Sequence, residues 1–247
     1  MNAAKKTVTF GWRNVIKPLL GRINFLYLKL YILRGYSGER RIDYQRRFVE
    51  FDIAPGEKVL DVGSGGEPFI YATHLCDPNP GKTQHRYNDL KTDNKLFAQA
   101  SAENLPYGTK EFDFVYSAHV LEHVDDPAKA CDEIMRVGKR GYIETPTRMS
   151  DIMSNFTRLP NFHKWHVTRI GNTLVFNEYQ DYEQRDMGTD EFYHMVHAIY
   201  PNAIQRMFKV NNDLFTNMFL WSGGFNYFVF NKKGELISSF VYTDTNT

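Results

Sequence analysis

At 247 residues, with 42% hydrophobic and 15% aromatic side chains, the chain suits one large α/β domain with an appendage, or two small domains, and is too apolar for a disordered one. Two cysteines, Cys76 and Cys131, exclude a disulfide framework and a cysteine zinc site, which predicts a cytoplasmic location. The net charge of +1 divides unevenly: residues 1–47 hold 11 Lys/Arg against 2 Asp/Glu, a net of +9, and the remainder carries −8.

A basic arm on an acidic body predicts an intramolecular contact, an anionic partner or peripheral contact with the inner face of a membrane. No apolar run approaches a membrane span, and no cleavable signal is visible. From Trp12 to Arg34 apolar residues recur at Val15, Ile16, Leu19, Leu20, Ile23, Leu26, Leu30 and Leu33, a helical stripe interrupted by Pro18 and Gly21. A second helix is expected from Gly38 to Phe51, so residues 1–52 read as a basic helical cap.

Residues 53–147 read as the core. A strand at Lys58–Val62 runs into Gly63-Ser64-Gly65-Gly66, then a stub of helix around Glu67–Tyr71. Glycine in such a turn lets the backbone take positive φ and approach a ligand without a Cβ in the way. Ala72–Cys76 reads as a second strand ending at Asp77, residues 78–95 as a polar loop, and Leu96–Ala100 as a short third strand. Phe112–Ser117 is a buried strand, and Ala128–Val137 an amphipathic helix with Ala130, Ile134 and Val137 inward and Gly138 as its stop. Arg140–Thr145 is the fifth strand. Strands alternating with helices predict an α/β fold, a Rossmann-like doubly wound and mostly parallel sheet, with ligands at the carboxyl ends of the strands.

Beyond Pro146 the pattern changes. Residues 148–190 are polar and aromatic, with His163-Lys164-Trp165-His166 and a strand-like Thr173–Asn177, and read as an insert that builds an acceptor pocket. Residues 191–247 are expected to supply a helix at Glu191–Tyr200 and closing antiparallel strands at Phe219–Trp221 and Phe225–Phe230.

The glycine turn does not fit a dinucleotide. Its first two glycines are Gly63 and Gly65, but the third position of G-x-G-x-x-G falls on Pro68, and no Gly-Lys-Ser/Thr follows for a phosphate loop. Val59-Leu60-Asp61-Val62-Gly63-Ser64-Gly65 instead resembles motif I of class I S-adenosylmethionine-dependent methyltransferases. Asp77, Ala102-Glu103-Asn104-Leu105-Pro106-Tyr107, Glu111-Phe112-Asp113-Phe114-Val115, His119-Val120-Leu121-Glu122-His123-Val124, Asp126-Pro127 and Glu133-Ile134-Met135-Arg136-Val137-Gly138 continue the pattern in order. Together they look like the small-molecule subgroup that includes quinone-biosynthesis enzymes. Gly138 to Pro146 and the downstream His-Lys-Trp resemble bacterial methyltransferases of glycan and secondary-metabolite pathways.

The resemblance implies S-adenosyl-L-methionine as cofactor, held by Asp61, Gly63, Ser64, Gly65, Asp77, Ser101, Ala102, Glu103, Ser117 and His119. Asp77 takes the family's ribose-binding place, and an acidic rim of Asp61, Asp77 and Glu103 suits a cationic sulfonium. One departure is Ser101, where the family usually has Asp to accept from the adenine amine. A hydroxyl acceptor must lose a proton, and imidazole is the natural base at neutral pH. His123 is the first choice and His119 the second, with Glu122, Glu144 and His163 near the same edge. His119-x-x-Glu122-His123 also spells the inverted zinc-protease pattern, but inside a methyltransferase sequence no metal is assigned; one held by His119, His123 and a later histidine stays open. The expected function is O-methylation of a small molecule or sugar rather than nucleic acid. The alternatives are a catalytically silent scaffold and a membrane- or RNA-associated methyltransferase.

Overall fold

The computed structural model describes residues 40–81, 89–92, 95–154, 162–181, 207 and 210–243. The expected helices at Trp12–Arg34 and Glu191–Tyr200 lie outside the described residues. So does part of the loop at 78–95.

Two sheets organise the described chain. Six strands, β1 (Val59–Val62), β2 (His74–Cys76), β3 (Leu96–Ala98), β4 (Phe112–Ala118), β5 (Gly138–Pro146) and β8 (Thr216–Ser222), pair in the order β3-β2-β1-β4-β5-β8. The first five are parallel, and β8 is antiparallel to β5. Chain order reverses between β1 and β4, so their carboxyl ends frame the crevice where such sheets bind ligands. Four strands form the second sheet, β10-β9-β7-β6: β6 (Trp165–Ile170), β7 (Thr173–Glu178), β9 (Asn226–Phe230) and β10 (Leu236–Phe240). Of the two strands expected to close the core, the one at 219–221 does so and the one at 225–230 joins this second sheet. There it pairs in parallel with β7.

Strand alternation sends side chains to two faces of the main sheet. Leu60, Val62 and Val115 face α2 (Pro127–Val137) and the second sheet, where Ala130, Ile134 and Val137 are fully buried with Phe176, Tyr227 and Val229. α2 starts at Asp126, whose side chain accepts from the Lys129 N–H at 3.1 Å, with Pro127 in the first turn. It ends at Gly138, but not by a left-handed cap: φ there is −103°, and a Cβ would stand 2.5 Å from the Val115 side chain. Space, not backbone freedom, selects glycine.

On the other face Val59, Phe114, Tyr116 and Tyr142 meet Phe51, Phe69 and α1 (Arg41–Phe48). The expected stub of helix at Glu67–Tyr71 is absent; the segment is irregular and ends in a turn at 70–71. Pro68 has no N–H to contribute, and the Phe69 N–H is taken by the Asp61 carboxylate at 2.7 Å. Phe69 instead stacks on Tyr116 with ring centroids 4.0 Å apart, covering the face a helix would otherwise cover.

Candidate active site

A cleft of about 720 Å3 opens at the carboxyl ends of β1 and β4. Its turn side is made by Gly63, Ser64, Gly65 and Asp77, and its flank by Ser101, Ala102 and Glu103. The opposite edge carries His119, Glu122, His123 and His163. Three predicted residues stand behind it instead: Asp61, Ser117 and Glu144 are buried and do not line the cleft.

The glycine turn is pinned by the second strand. The N–H groups of Gly63 and Ser64 both reach the Cys76 carbonyl, at 2.7 and 3.1 Å. Asp77 accepts from the Gly65 N–H at 3.1 Å and the Asn79 N–H at 2.8 Å. Gly63 has φ +72°, and an added Cβ would lie 2.3 Å from Val120 Cγ2. Ser64 Oγ is buried with no hydrogen-bond partner among the described residues. On the flank, Ser101 Oγ accepts from the Glu103 N–H, and Glu103 holds the N–H groups of Asp125 and Asp126.

Asp61 is not part of an acidic rim. It points away from the cleft to cap Phe69, and burial pushes its carboxyl up from 3.8 to about 7 despite that bond and the nearby charge of Arg41. A raised folded pKa means stability that is full below the unfolded value near 3.8 and lost as pH rises through about 7. At about 1.4 kcal/mol per pKa unit, a few kcal/mol is at stake across this window. Asp61→Asn keeps an acceptor for Phe69 and is expected to flatten that slope in urea-unfolding midpoints taken from pH 5 to 8. Parallel curves for parent and variant would contradict the assignment.

His119 follows β4 with φ +58°, a strained backbone for a residue with a Cβ, and its N–H donates to the Glu144 carbonyl at 2.8 Å. The imidazole is held between two buried carboxylates. Nε2 lies 3.0 Å from Glu144 Oε1, and Nδ1 lies 3.4 Å from Glu122 Oε1. Burial opposes its charge, but the two carboxylates outweigh burial and raise it to about 9. The two carboxylates thus favour the protonated imidazole, a setting that counts against His119 as a base.

Glu144 is the hub behind it. Its carboxylate also accepts from Tyr44 at 2.5 Å, from Gln45 Nε2 at 2.7 Å and from the Tyr142 hydroxyl, and despite burial His119 and the tyrosines hold it ionised. It positions His119 and α1 rather than meeting a substrate.

Glu122 is fully buried, and burial that disfavours its charge is overcome by His119, His123 and His163, which lower it to about 2. His123 Nδ1 sits on the Phe162 carbonyl, while Nε2 lies 3.8 Å from Glu122 Oε1. His163 is buried, its Nδ1 2.8 Å from Asp151 Oδ1, and Tyr179 donates to the other oxygen of Asp151. The second sheet is stitched to this loop: the N–H groups of Lys164 and Trp165 reach the Glu122 carbonyl, and Trp165 Nε1 donates to the Val124 carbonyl at 2.8 Å. That stitching brings His163 beside His123, with ring centroids 4.7 Å apart.

Sequence reasoning missed Arg41, which lines the cleft beside Tyr44, Tyr116, Glu144 and Asp61. It was legible only as one charge of a basic arm. Asp151, an acid in a polar stretch, gave no signal.

Residues 60–143 match the model of a family described as Methyltransferase domain. The sheet core matches a methyltransferase domain. The match covers about a third of the chain and spans most of β1 to most of β5, including the glycine turn, His119, Glu122 and His123 but not His163. An uncharacterized methyltransferase of Mycobacterium avium is 30% identical over 99 residues, covering 36% of this chain and 38% of that protein. One from Mycolicibacterium paratuberculosis gives the same figures. The chain thus spans well under half the length of the curated relatives it matches.

Among solved structures, a Thermotoga maritima protein described as an S-adenosylmethionine-dependent methyltransferase, possibly a histamine N-methyltransferase, is 17% identical with a TM-score of 0.35. It covers 55% of this chain and 62% of its own. A protein from Anabaena variabilis, described as a methyltransferase of an antibiotic biosynthesis pathway, is 16% identical with a TM-score of 0.36, covering 54% and 50%.

Proposed function

We propose that the protein is an S-adenosylmethionine-dependent methyltransferase that methylates an oxygen of a small molecule or sugar. The observation that carries this is the match of residues 60–143 to a methyltransferase domain, placed around a cleft at the strand-order reversal. The residues present fit the cofactor: Ser64 offers a buried hydroxyl with no hydrogen-bond partner among the described residues, and Gly63, at φ +72° against Val120, keeps the turn tight along the cleft wall. Gly63, Ser64 and Gly65 would hold the amino-acid end, Asp77 the ribose, and Ser101 to Glu103 the adenine side. Bound there, S-adenosylmethionine supplies an electrophilic methyl group.

The chain's own work lies at the opposite edge. His119, fixed as a cation, orients the loop and offsets the charge of Glu122 and Glu144. Removal of the acceptor proton falls to the Glu122–His123–His163 cluster, in which His123 lines the cleft with a side chain 25% exposed while Glu122 and His163 are buried. The acceptor is a small molecule or sugar because the body beyond residue 47 carries −8, which disfavours a phosphate backbone. Among the described residues no helix is long and apolar enough to cross a membrane. The proposed location is cytoplasmic, with the basic arm available for peripheral membrane contact.

Incubation with methyl-labelled S-adenosylmethionine and a panel of monosaccharides, phenols and quinols is expected to give alkali-stable label on a hydroxyl compound. Label found only on amines would contradict the oxygen assignment, and none on any acceptor would contradict the enzyme reading.

A further inference from the structure

We propose that Glu122, His123 and His163 bind one divalent transition-metal cation at the acceptor edge of the cleft. One ligand atom from each of the three lies within 4.8 Å of the others, and all three residues line the cleft. Bonds of about 2.0–2.2 Å place neighbouring ligands about 3 Å apart, so closing the 3.8 Å between His123 Nε2 and Glu122 Oε1 needs only a small side-chain movement.

Three features independent of that proximity point to a cation. Among the described residues neither oxygen of the buried Glu122 carboxylate meets a well-aligned donor, an arrangement proteins rarely keep. The nearest cationic groups, His119 Nδ1 and His123 Nε2, stand 3.4 and 3.8 Å from Glu122 Oε1, longer than a charge-assisted hydrogen bond prefers. The outer contacts of the two histidines are also those of metal ligands. His163 gives Nδ1 to Asp151, itself fixed by Tyr179, and His123 gives Nδ1 to a backbone carbonyl, so Nε2 is the atom that each ring would offer to a cation. Two imidazoles and one carboxylate form a borderline donor set that suits zinc, iron, cobalt or manganese rather than calcium or magnesium, and it leaves coordination positions open toward the cleft.

The catalytic use of the cation rests on the proposed methyl transfer. In an open position it would take the acceptor oxygen and make its hydroxyl acidic enough to lose its proton to solvent water, so that with the cation bound His123 would serve as a ligand in place of its role as base.

The test uses the full chain, stripped by chelator and titrated with Co2+ without S-adenosylmethionine, so its outcome is independent of cofactor binding. Visible absorption is expected to saturate at one equivalent. Proton NMR of the Co2+ form is expected to show two shifted exchangeable imidazole N–H resonances, from the Nδ1 groups of His123 and His163. Glu122→Gln and His163→Ala are expected to weaken binding more than a hundredfold, and Asp151→Asn, a positioning change, by ten- to a hundredfold. Absence of saturable binding to the parent chain, or saturation without the shifted N–H pair, would overturn the proposal even where a variant fails to fold. Undiminished binding in folded Glu122→Gln and His163→Ala would do the same.

Discussion

Glu144→Ala is expected to lower folding stability by about 3–5 kcal/mol, the range seen when one partner of a buried ion pair is removed. Glu144 is fully buried and gathers Tyr44 and Gln45 from α1, Tyr142 from β5 and the imidazolium of His119. Alanine leaves a cation short of one carboxylate and strands three donors in the core. α1 would lose the bonds of Tyr44 and Gln45 to β5 and be tied to the sheet by the Gln45 bonds with Tyr116 of β4. Urea unfolding at pH 7 measures the loss. Glu144→Gln preserves the shape but not the charge, so it should fall between parent and alanine and lower the pKa of His119, readable by NMR titration. A loss below 1 kcal/mol in the alanine variant would mean that Glu144 is not the hub.

Gly63→Ala is expected to weaken binding of S-adenosylhomocysteine by tenfold or more and also to reduce stability. Two separate costs act. The left-handed backbone at φ +72° costs an L-residue roughly 1–2 kcal/mol, and the new Cβ stands 2.3 Å from Val120 Cγ2. The double variant Gly63→Ala with Val120→Ala separates them, because it relieves the contact but not the backbone. Partial recovery of binding is the expected result. Full recovery would assign the whole effect to Val120, and no loss in the single variant would remove the turn from the cofactor site.

Much of the core was legible because local rules and tertiary context agree there. The apolar run at 58–62, the glycine turn and the amphipathic spacing of Ala130, Ile134 and Val137 each encode their element by pattern alone. The segment after the turn was misread because its outcome depends on Asp61, eight positions earlier, taking the Phe69 N–H. Asp61 itself was placed on the ligand rim by charge, whereas burial turned it into an internal cap. Strands 219–221 and 225–230 carry similar aromatic patterns yet enter different sheets, a choice made by pairing partners that periodicity does not name. The histidine edge was foreseen as a set of residues, but not its wiring. Nothing local signals that Asp151 supports His163, or that Glu122 and Glu144 hold His119 from either side.

The central claim is that the cleft above β1 and β4 is a site for S-adenosylmethionine. Calorimetric titration of the full chain with S-adenosylhomocysteine tests it most directly. One saturable site, lost or much weakened in a folded Gly63→Ala variant, is the predicted result. No binding heat at millimolar ligand across two temperatures, with the parent chain folded, would contradict it.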